Sequence, residues 1–447
     1  MAPSHAESSW KGRVDTTFLA ATAGLLVVGS LAVVSAVRPM PHSSHIIIRH
    51  FAALAVGVAF FFFGFGFDYH VFEDQAKMIY AATLLMLAAV LAVGTTSHGH
   101  RSWLDFGFLS FQPAELARLF LILSLAAFLD RRERKIGKFS VVLGALALSL
   151  PVVGLILKQP DFSTALTFLP LIFGMLFCAG VSLAQLSVIM IFAGVTLSVP
   201  FAYTVCQVLY PHAPTGSWPN AVIAAFIGSK TTLLLLGGGA LVFVGLWRWA
   251  KWARLRADAS LFLAGYLVLA GGLLAGIVVN RRLKPYQRDR FAAFVAPKQD
   301  LEGAAYHVRQ SQIAIGSGGF LGKGLFEGTQ SQLGFLPERH TDFIYAVIGE
   351  EMGFWGAVGV LLLYFLLVWR LSETARSARD RYGYLVCSGL AVMFGFELVL
   401  NVGMCVGLMP VAGIPLPLVS YGGSSLVIAL WSLGIASNVH YKRYLLA

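Results

Sequence analysis

The feature that most restricts the fold of this chain is a series of apolar runs, each about 20 residues long. A helix rises about 1.5 Å per residue, so each run can cross about 30 Å of hydrocarbon. Hydrophobic residues make up 57% of the 447 residues and charged residues only 12%, which excludes an ordinary soluble domain. We predict an all-α polytopic membrane protein with about twelve spans, near residues 15–37, 46–67, 77–95, 113–130, 139–157, 163–181, 184–206, 222–249, 260–279, 342–370, 382–408 and 419–438.

The charge of the loops predicts the orientation in the membrane. Basic clusters occur in DRRERKIGK (130–138), RWAKWARLRAD (248–258), RLSETARSARDR (370–381) and the C-terminal HYKRYLLA, all on the side of the N-terminus. Lys and Arg concentrate in cytoplasmic loops, so we predict that both termini are cytoplasmic. This pattern also explains the net charge of +11, and no nucleic-acid partner is predicted.

One long loop, residues 280–341, is predicted to be extracytoplasmic although it contains nine Lys and Arg residues. Long loops are translocated despite their charge, so a solvated linker is one interpretation. The seven glycines from Gly316 to Gly334 favour another, because glycine permits close packing of the backbone. A cavity lid or a substrate groove fits this composition better.

The loop ends in LPERHTDF, which leads directly into an apolar run. A charge at the edge of hydrocarbon is costly unless it is paired, hydrated or used. Asp342 could accept a proton from an attacking hydroxyl or bind a divalent cation, and it could also simply cap the helix. Glu338, Arg339 and His340 either line a substrate site with it or form a solvated ion cluster.

A second charged pair lies at the start of another predicted span. Pro113 suits the first position of a helix, and Glu115 and Arg118 follow three residues apart, on one helix face. The simplest interpretation is a structural ion pair close to the site.

Six blocks of the sequence resemble the SEDS family of peptidoglycan polymerases, in the expected order. The residues of these blocks resemble the sequences of the elongation members more closely than those of the division members. The blocks are FQPAELARL (111–119), KQPDFSTAL (158–166), YQRDRFAAFVAPKQD (286–300), GAAYHVRQSQIAIGSGGFLGKG (303–324), GTQSQLGFLPERHTDFIYAVIGEEMG (328–353) and NVGMCVGLMPVAGIPLPLVSYGGSS (401–425).

The resemblance implies a glycosyltransferase that polymerises lipid II on the outer face of the bacterial cytoplasmic membrane, by inverting single displacement. It also implies a class B penicillin-binding protein as the partner that crosslinks the strands. Family members usually have ten spans. We therefore interpret residues 207–280 as a helical hairpin inserted into a single membrane domain that covers residues 1–447.

The resemblance also implies roles for individual residues, with Asp342 as the catalytic residue. Lys158, Arg290 and Lys323 are candidates for binding the pyrophosphate, because cations are the natural partners of phosphate oxygens. A divalent cation, Mg²⁺ or Mn²⁺, is expected, with unknown ligands. The other predicted substrate-binding residues are Glu338, His340, Thr341, Arg101, Trp103, Gln159, Asp161, Gln310, Ser311, Ser317 and Gln330.

Three other functions stay open from the sequence: a lipid II flippase or transporter, a division-type polymerase and a noncatalytic scaffold. A flippase is expected to carry polar residues at the membrane midplane, often in paired broken helices. Here the polar residues instead cluster at the predicted outer face. This distribution favours the polymerase.

Overall fold

The computed structural model describes residues 15–97, 100–105, 110–159, 161–214, 216–227, 230–254, 258–283, 287–288, 292, 294–296 and 304–443. The described helices are α1 (Thr16–Val37), α2 (Ser43–Gly66), α3 (His70–Asp74), α4 (Ala76–Val93), α5 (Pro113–Asp130), α6 (Phe139–Lys158), α7 (Phe162–Cys178), α8 (Leu183–Leu209), α9 (Trp218–Phe226), α10 (Lys230–Trp252), α11 (Ala259–Arg282), α12 (Ala304–Ser317), α13 (Thr329–Gln332), α14 (Ile344–Glu351), α15 (Gly353–Arg376), α16 (Arg381–Cys405) and α17 (Gly423–Lys442). The predicted all-α membrane fold is confirmed.

Nine of the described helices are long and apolar enough to cross a membrane: α1, α2, α4, α6, α8, α10, α11, α15 and α16. The other three predicted spans are also helical, as α5, α7 and α17, with 18, 17 and 20 residues. Twelve helices therefore match the twelve predicted runs, and how many of them cross the bilayer stays a prediction.

Three local features differ from the predicted helices and loops. The predicted span 222–249 begins within α9, which ends at Phe226, and α10 begins at Lys230. The loop after α4 contains three short antiparallel strands, β1 (Thr95–Ser97), β2 (His100–Asp105) and β3 (Ser110–Phe111). The predicted span 342–370 is interrupted, because α14 ends at Glu351 and α15 begins at Gly353. Gly353 has a φ of +67° and packs its backbone against Gly322, which also has positive φ. Residues with a side chain rarely adopt this conformation.

The chain divides into two compact units, one of residues 1–181 and 307–447 and the other of residues 182–306. In the second unit, α11 packs closely on α8: a Cβ at Gly276 would collide with Val199 and with the carbonyl of Thr196. The predicted hairpin at 207–280 corresponds to α9, α10 and α11 within this unit. Its status as an insertion stays a prediction.

In the larger unit, hydrogen bonds between side chains and backbone define two ends of the helix bundle. The Asp342 end contains the end of α1, the starts of α5, α7, α14 and α17, and the end of α16, which are joined by the bonds described below. The short α14 has both of its ends near the Asp342 end, whereas the Asp380 end contains the start of α1, the ends of α5, α7 and α17, and the start of α16. There Asp380 caps α16 by accepting a bond of 2.7 Å from the amide of Gly383.

Candidate active site

The residues of LPERHTDF form a tight turn before α14. Glu338 has a φ of +47°, and its carbonyl accepts hydrogen bonds from the amides of Thr341, Asp342 and Phe343 at 3.2, 3.1 and 3.3 Å. The helix begins only at Ile344, and Phe343 occupies the N-cap position without a side-chain cap. The alternative that Asp342 caps this helix is therefore wrong. The backbone reverses before the helix starts.

Asp342 is half-buried in this turn, and its backbone is held by neighbouring elements rather than by its own helix. Its carbonyl accepts a hydrogen bond of 2.9 Å from Nδ2 of Asn401 on α16. On the other side of the turn, the buried Arg339 donates a 2.8 Å bond from Nε to the carbonyl of Ala36 on α1. Burial lowers the pKa of Arg339. The side chain of Thr341 bonds to Glu338 at 3.2 Å, so the predicted residues Glu338, His340, Thr341 and Asp342 share one turn.

An aromatic group lies next to the turn. The rings of His340 and Tyr421 are 5.5 Å apart, and Tyr421 lies 6.2 Å from the ring of His50 on α2. Burial lowers the pKa of His340, with Glu338 opposing the shift and Arg339 adding to it. Burial raises the pKa of Tyr421, and the nearby Arg49 opposes this. The turn therefore carries a neutral imidazole at neutral pH, two residues before Asp342.

The predicted patch of Lys158, Gln159 and Asp161 lies at the Asp342 end of the bundle, and Gln112 connects it to α17. The side chain of Gln112 donates from Nε2 to the carboxylate of Asp161 at 3.0 Å, and its backbone amide donates to Oγ of Ser424 at 3.2 Å. Asp161 also caps α7 by accepting from the amide of Thr164 at 3.0 Å. Gln159 is fully buried and donates to the carbonyl of Leu87 at 2.9 Å.

These bonds give Gln159 and Asp161 structural roles. Lys158 differs from them, because its side chain is exposed at the end of α6. Of the patch residues, it therefore remains the candidate for binding a phosphate.

The glycine-rich part of the long loop is anchored to the end of α14. Glu350 is fully buried and accepts bonds from Nζ of Lys323 at 2.8 Å and from the amides of Gln330 and Ser331 at 2.8 and 3.0 Å. Glu351 accepts from Oγ of Ser35 at 2.7 Å. The expectation of closely packed backbone is met here. Lys323 forms an ion pair with Glu350, and its predicted role in binding pyrophosphate stays a prediction.

The predicted polar residues of α12 lie on different sides of that helix. Ser311 is fully buried and donates to the carbonyl of Cys405 at 2.8 Å. Ser317 is exposed and bonds to the carbonyl of Ala314 at 2.9 Å within its own helix. Gln310 is half-buried. The contacts of both serines are structural.

The predicted ion pair of Glu115 and Arg118 is present, and it has a third member. Arg118 contacts Glu115 on its own helix and Glu397 on α16, and all three side chains are buried. Two carboxylates therefore share one guanidinium in the bundle. The sequence did not indicate Glu397, because it lies outside the charged clusters, in the middle of an apolar run.

The remaining predicted site residues are less informative. Trp103 is half-buried on β2, opposite Thr95 of β1. Arg101 is on the same strand, but its side chain lies outside the described part of the chain, and Arg290 is also outside the described residues. Among the described residues, no group of three or more His, Cys, Asp or Glu could hold a metal ion.

Comparison with known proteins connects this arrangement to a family. A family model described as "Cell cycle protein", for FtsW, RodA and SpoVE, matches residues 13–226 and 227–445. Peptidoglycan glycosyltransferase RodA of Treponema pallidum is 34% identical over 441 residues, covering 96% of each chain. Peptidoglycan glycosyltransferase MrdB of Escherichia coli K12 is 31% identical, covering 98% of this chain and 96% of the relative. Proteins named as probable FtsW also match, at 30–32% identity.

A solved structure agrees with these matches. A chain from a peptidoglycan synthase complex, described as coordinating polymerization and crosslinking, has a TM-score of 0.66 and 31% identity, and the match covers 97% of this chain and 99% of the other. The similarity thus extends over nearly the whole length in both sequence and fold. The chain belongs to the FtsW, RodA and SpoVE family, which is the SEDS family that its motifs resemble.

Proposed function

We propose that this chain is a peptidoglycan glycosyltransferase that polymerises lipid II into glycan strands during cell elongation. Its relatives RodA and MrdB carry the name of this activity. The proposal places the reaction at the Asp342 end of the bundle, on the outer face of the bacterial cytoplasmic membrane. In this orientation both termini are cytoplasmic and the lipid tail of the substrate stays in hydrocarbon.

The observation that carries the proposal is the position of Asp342. Its backbone carbonyl accepts a bond from Asn401 on α16, and the N-cap of the following helix is Phe343. A role as helix cap therefore does not explain why an aspartate occurs at this position. Formation of a β-1,4 glycan bond from an α-linked pyrophosphate inverts the anomeric carbon, which suits one displacement. The attacking hydroxyl must lose a proton, and a half-buried carboxylate can accept it as a general base.

Within the same turn, Glu338 and His340 are the residues best placed to contact the sugar. Glu338 is exposed, whereas His340 is half-buried and its imidazole is neutral at neutral pH. A neutral imidazole can both donate and accept hydrogen bonds, which suits recognition of sugar hydroxyl groups. These two side chains would orient the sugar beside Asp342.

A divalent cation fits this site through Asp342. Mg²⁺ is commonly bound by one or two carboxylates together with substrate phosphates, so it needs no complete cage of protein ligands. The described residues offer no such cage, and Asp342 would be the protein ligand. Such a cation would neutralise charge on the departing pyrophosphate.

The partner in this proposal is a class B penicillin-binding protein that crosslinks the new strands. A similar solved chain comes from a complex described as coordinating polymerization and crosslinking, which supports a crosslinking partner. Lipid II and the surrounding membrane lipids are the other expected partners.

The experiment that tests the proposal is polymerisation of labelled lipid II by the purified chain with its partner, comparing wild type with Asp342→Asn. Loss of a general base lowers rates by about 10²–10⁴-fold, so we expect almost no glycan strands from this variant. Asp380→Asn is the matched control. It removes a carboxylate at the start of another helix, and Asn caps about as well as Asp. Near-normal polymerisation by Asp342→Asn would contradict the catalytic role.

A further inference from the structure

The turn that carries Asp342 has three consecutive carbonyl groups, and each one is bound from outside the turn. The carbonyl of His340 accepts a 2.8 Å bond from the amide of Tyr421. The carbonyl of Thr341 accepts a 2.6 Å bond from Oγ of Ser420, and that of Asp342 accepts a 2.9 Å bond from Nδ2 of Asn401. We propose that Asn401 and Ser420 are positioning residues, which fix the orientation of the Asp342 carboxylate for the reaction. This inference rests on the proposed function.

Asn401 is well suited to this role. It is fully buried on α16, and its side-chain amide also donates to the carbonyl of Ile414 at 2.8 Å. Both amide hydrogens are therefore used, one on the turn and one on the segment that leads to α17. A buried amide with both donors engaged has one rotamer and cannot move without breaking two bonds. Asn401 thus fixes the turn relative to the irregular segment 406–422.

Ser420 completes this connection from the other side. Its hydroxyl donates to Thr341 and accepts a 2.7 Å bond from the amide of Leu416, and the residue is buried. One bond uses the hydroxyl hydrogen and the other a lone pair of the hydroxyl oxygen, so the hydroxyl cannot rotate freely. The segment 406–422 therefore holds the turn at adjacent carbonyls through Ser420 and the amide of Tyr421.

Holding adjacent carbonyls fixes the peptide planes on both sides of the Asp342 Cα atom. The direction of the Cα–Cβ bond follows from these planes, and so does the position of the carboxylate. A displacement of about 1 Å at a reacting group can lower the rate by about 10²-fold. Neither Asn401 nor Ser420 is placed in contact with the substrate. Loss of either side chain is therefore expected to lower kcat and to leave KM for lipid II nearly unchanged.

The test pairs each proposed positioning residue with a buried residue of the same type that does not bond to the Asp342 turn. Ser420→Ala is paired with Ser432→Ala, because Ser432 is also fully buried and its hydroxyl bonds to a backbone carbonyl, that of Ile428, at 2.7 Å. Asn401→Asp is paired with Asn438→Asp, because Asn438 is buried and donates to the carbonyl of Phe65 at 2.6 Å. Each pair loses the same kind of donor, so a merely structural role predicts lower unfolding temperatures and no selective fall in kcat at Ser420 and Asn401.

The measurements are steady-state kinetics with lipid II and thermal unfolding of the full chain with its partner. We expect Ser420→Ala and Asn401→Asp to lower kcat by about 10- to 100-fold with KM changed by less than about threefold. The two controls should keep kcat within about twofold even where they lower the unfolding temperature. Equal kcat within both pairs would overturn the inference, as would a rise in KM at constant kcat.

Folding and the proposed function can be separated in the same experiment. If Ser420→Ala does not insert, Asn401→Asp decides. If neither accumulates while both controls do, the two residues hold the fold and not Asp342, and the inference is wrong. Failure of the wild type and the controls to form glycan strands would instead reject the proposed function.

Discussion

The two ends of the larger unit use their polar residues in different ways. At the Asp380 end, side chains pair with side chains: Arg381 with Glu133 at 2.7 Å, Arg370 with Asp15 at 2.6 Å, and Lys442 with Asp68. The Asp342 end also contains ion pairs, of Lys323 with Glu350 and of Arg118 with two glutamates. The turn that carries Asp342 is held differently, because its backbone carbonyls accept bonds from the side chains of Asn401 and Ser420. Arg339 of the same turn binds the backbone carbonyl of Ala36.

The carboxylates differ accordingly. Asp380 caps a helix and contacts Tyr69, which accounts for it structurally. Asp342 lies in a turn whose backbone carbonyls are bound by residues from outside the turn, and the N-cap of the helix that follows is Phe343. The described contacts therefore give the Asp380 carboxylate a structural role, whereas they hold Asp342 through its backbone carbonyl.

The largest expected effect tests whether the two ends face opposite sides of the membrane. A single cysteine is introduced as Glu338→Cys at the Asp342 end or as Glu133→Cys at the Asp380 end, since both residues are exposed. A membrane-impermeant thiol reagent applied to intact cells without an outer membrane barrier should label only Glu338→Cys. The unsubstituted chain, in which three of the four cysteines are buried, gives the background. Labelling of Glu133→Cys from outside would reverse the predicted orientation.

The second prediction concerns the buried ion cluster of Arg118. Arg118→Met leaves Glu115 and Glu397 buried without their cation, and breaking a buried pair in this way costs about 3–5 kcal/mol. Arg381→Met is the control, because its pair with Glu133 at the Asp380 end is partly exposed and such pairs contribute about 0–1 kcal/mol. Unfolding in detergent measures both. Equal losses of stability would show that the two ends do not differ in this respect.

The third prediction concerns the loop held by Glu350. Glu350→Ala removes the acceptor for Lys323 and for the amides of Gln330 and Ser331, and hydrogen bonds to a charged group contribute about 1.5–3 kcal/mol each. We expect faster hydrogen exchange in residues 326–333, with little change at the Asp380 end. Glu373→Ala, which removes the half-exposed partner of Arg370, is the control. Unchanged exchange in this loop would mean that Glu350 is not its anchor.

The helices and the site were not equally predictable from the sequence. Length and hydropathy are local properties, so a helix such as Leu183–Leu209 follows from its own residues. Asp342 was found through the chemistry of LPERHTDF and the family resemblance. Asn401 and Ser420 were missed because their bonds join residues 59 and 79 positions apart. Neither residue type has a local pattern that indicates a partner so distant.

The break at Gly353 was missed for a related reason. The run from 342 to 370 is apolar enough to be one helix, and nothing in the sequence distinguishes Gly353 from the other three glycines of the run as the site of a break. The interruption depends on the approach of Gly322 from the long loop, which is a tertiary contact. The same contact brings Glu350 and Glu351 to the end of a short helix, where they can accept bonds from the loop.

The smallest expected effect is the pH dependence that His340 confers on stability. Burial lowers the pKa of His340 in the folded chain, whereas the unfolded chain has the ordinary value near 6.5. As the pH falls through about 6.5, the unfolded state therefore binds a proton that the folded state does not, and the folded state loses stability. His340→Gln keeps a polar side chain without a titrating group, so it should lose less stability than wild type between pH 7.5 and 5.5. Unfolding of both proteins across this range measures the difference, and parallel curves would show that the His340 imidazole accepts its proton equally well in the folded turn.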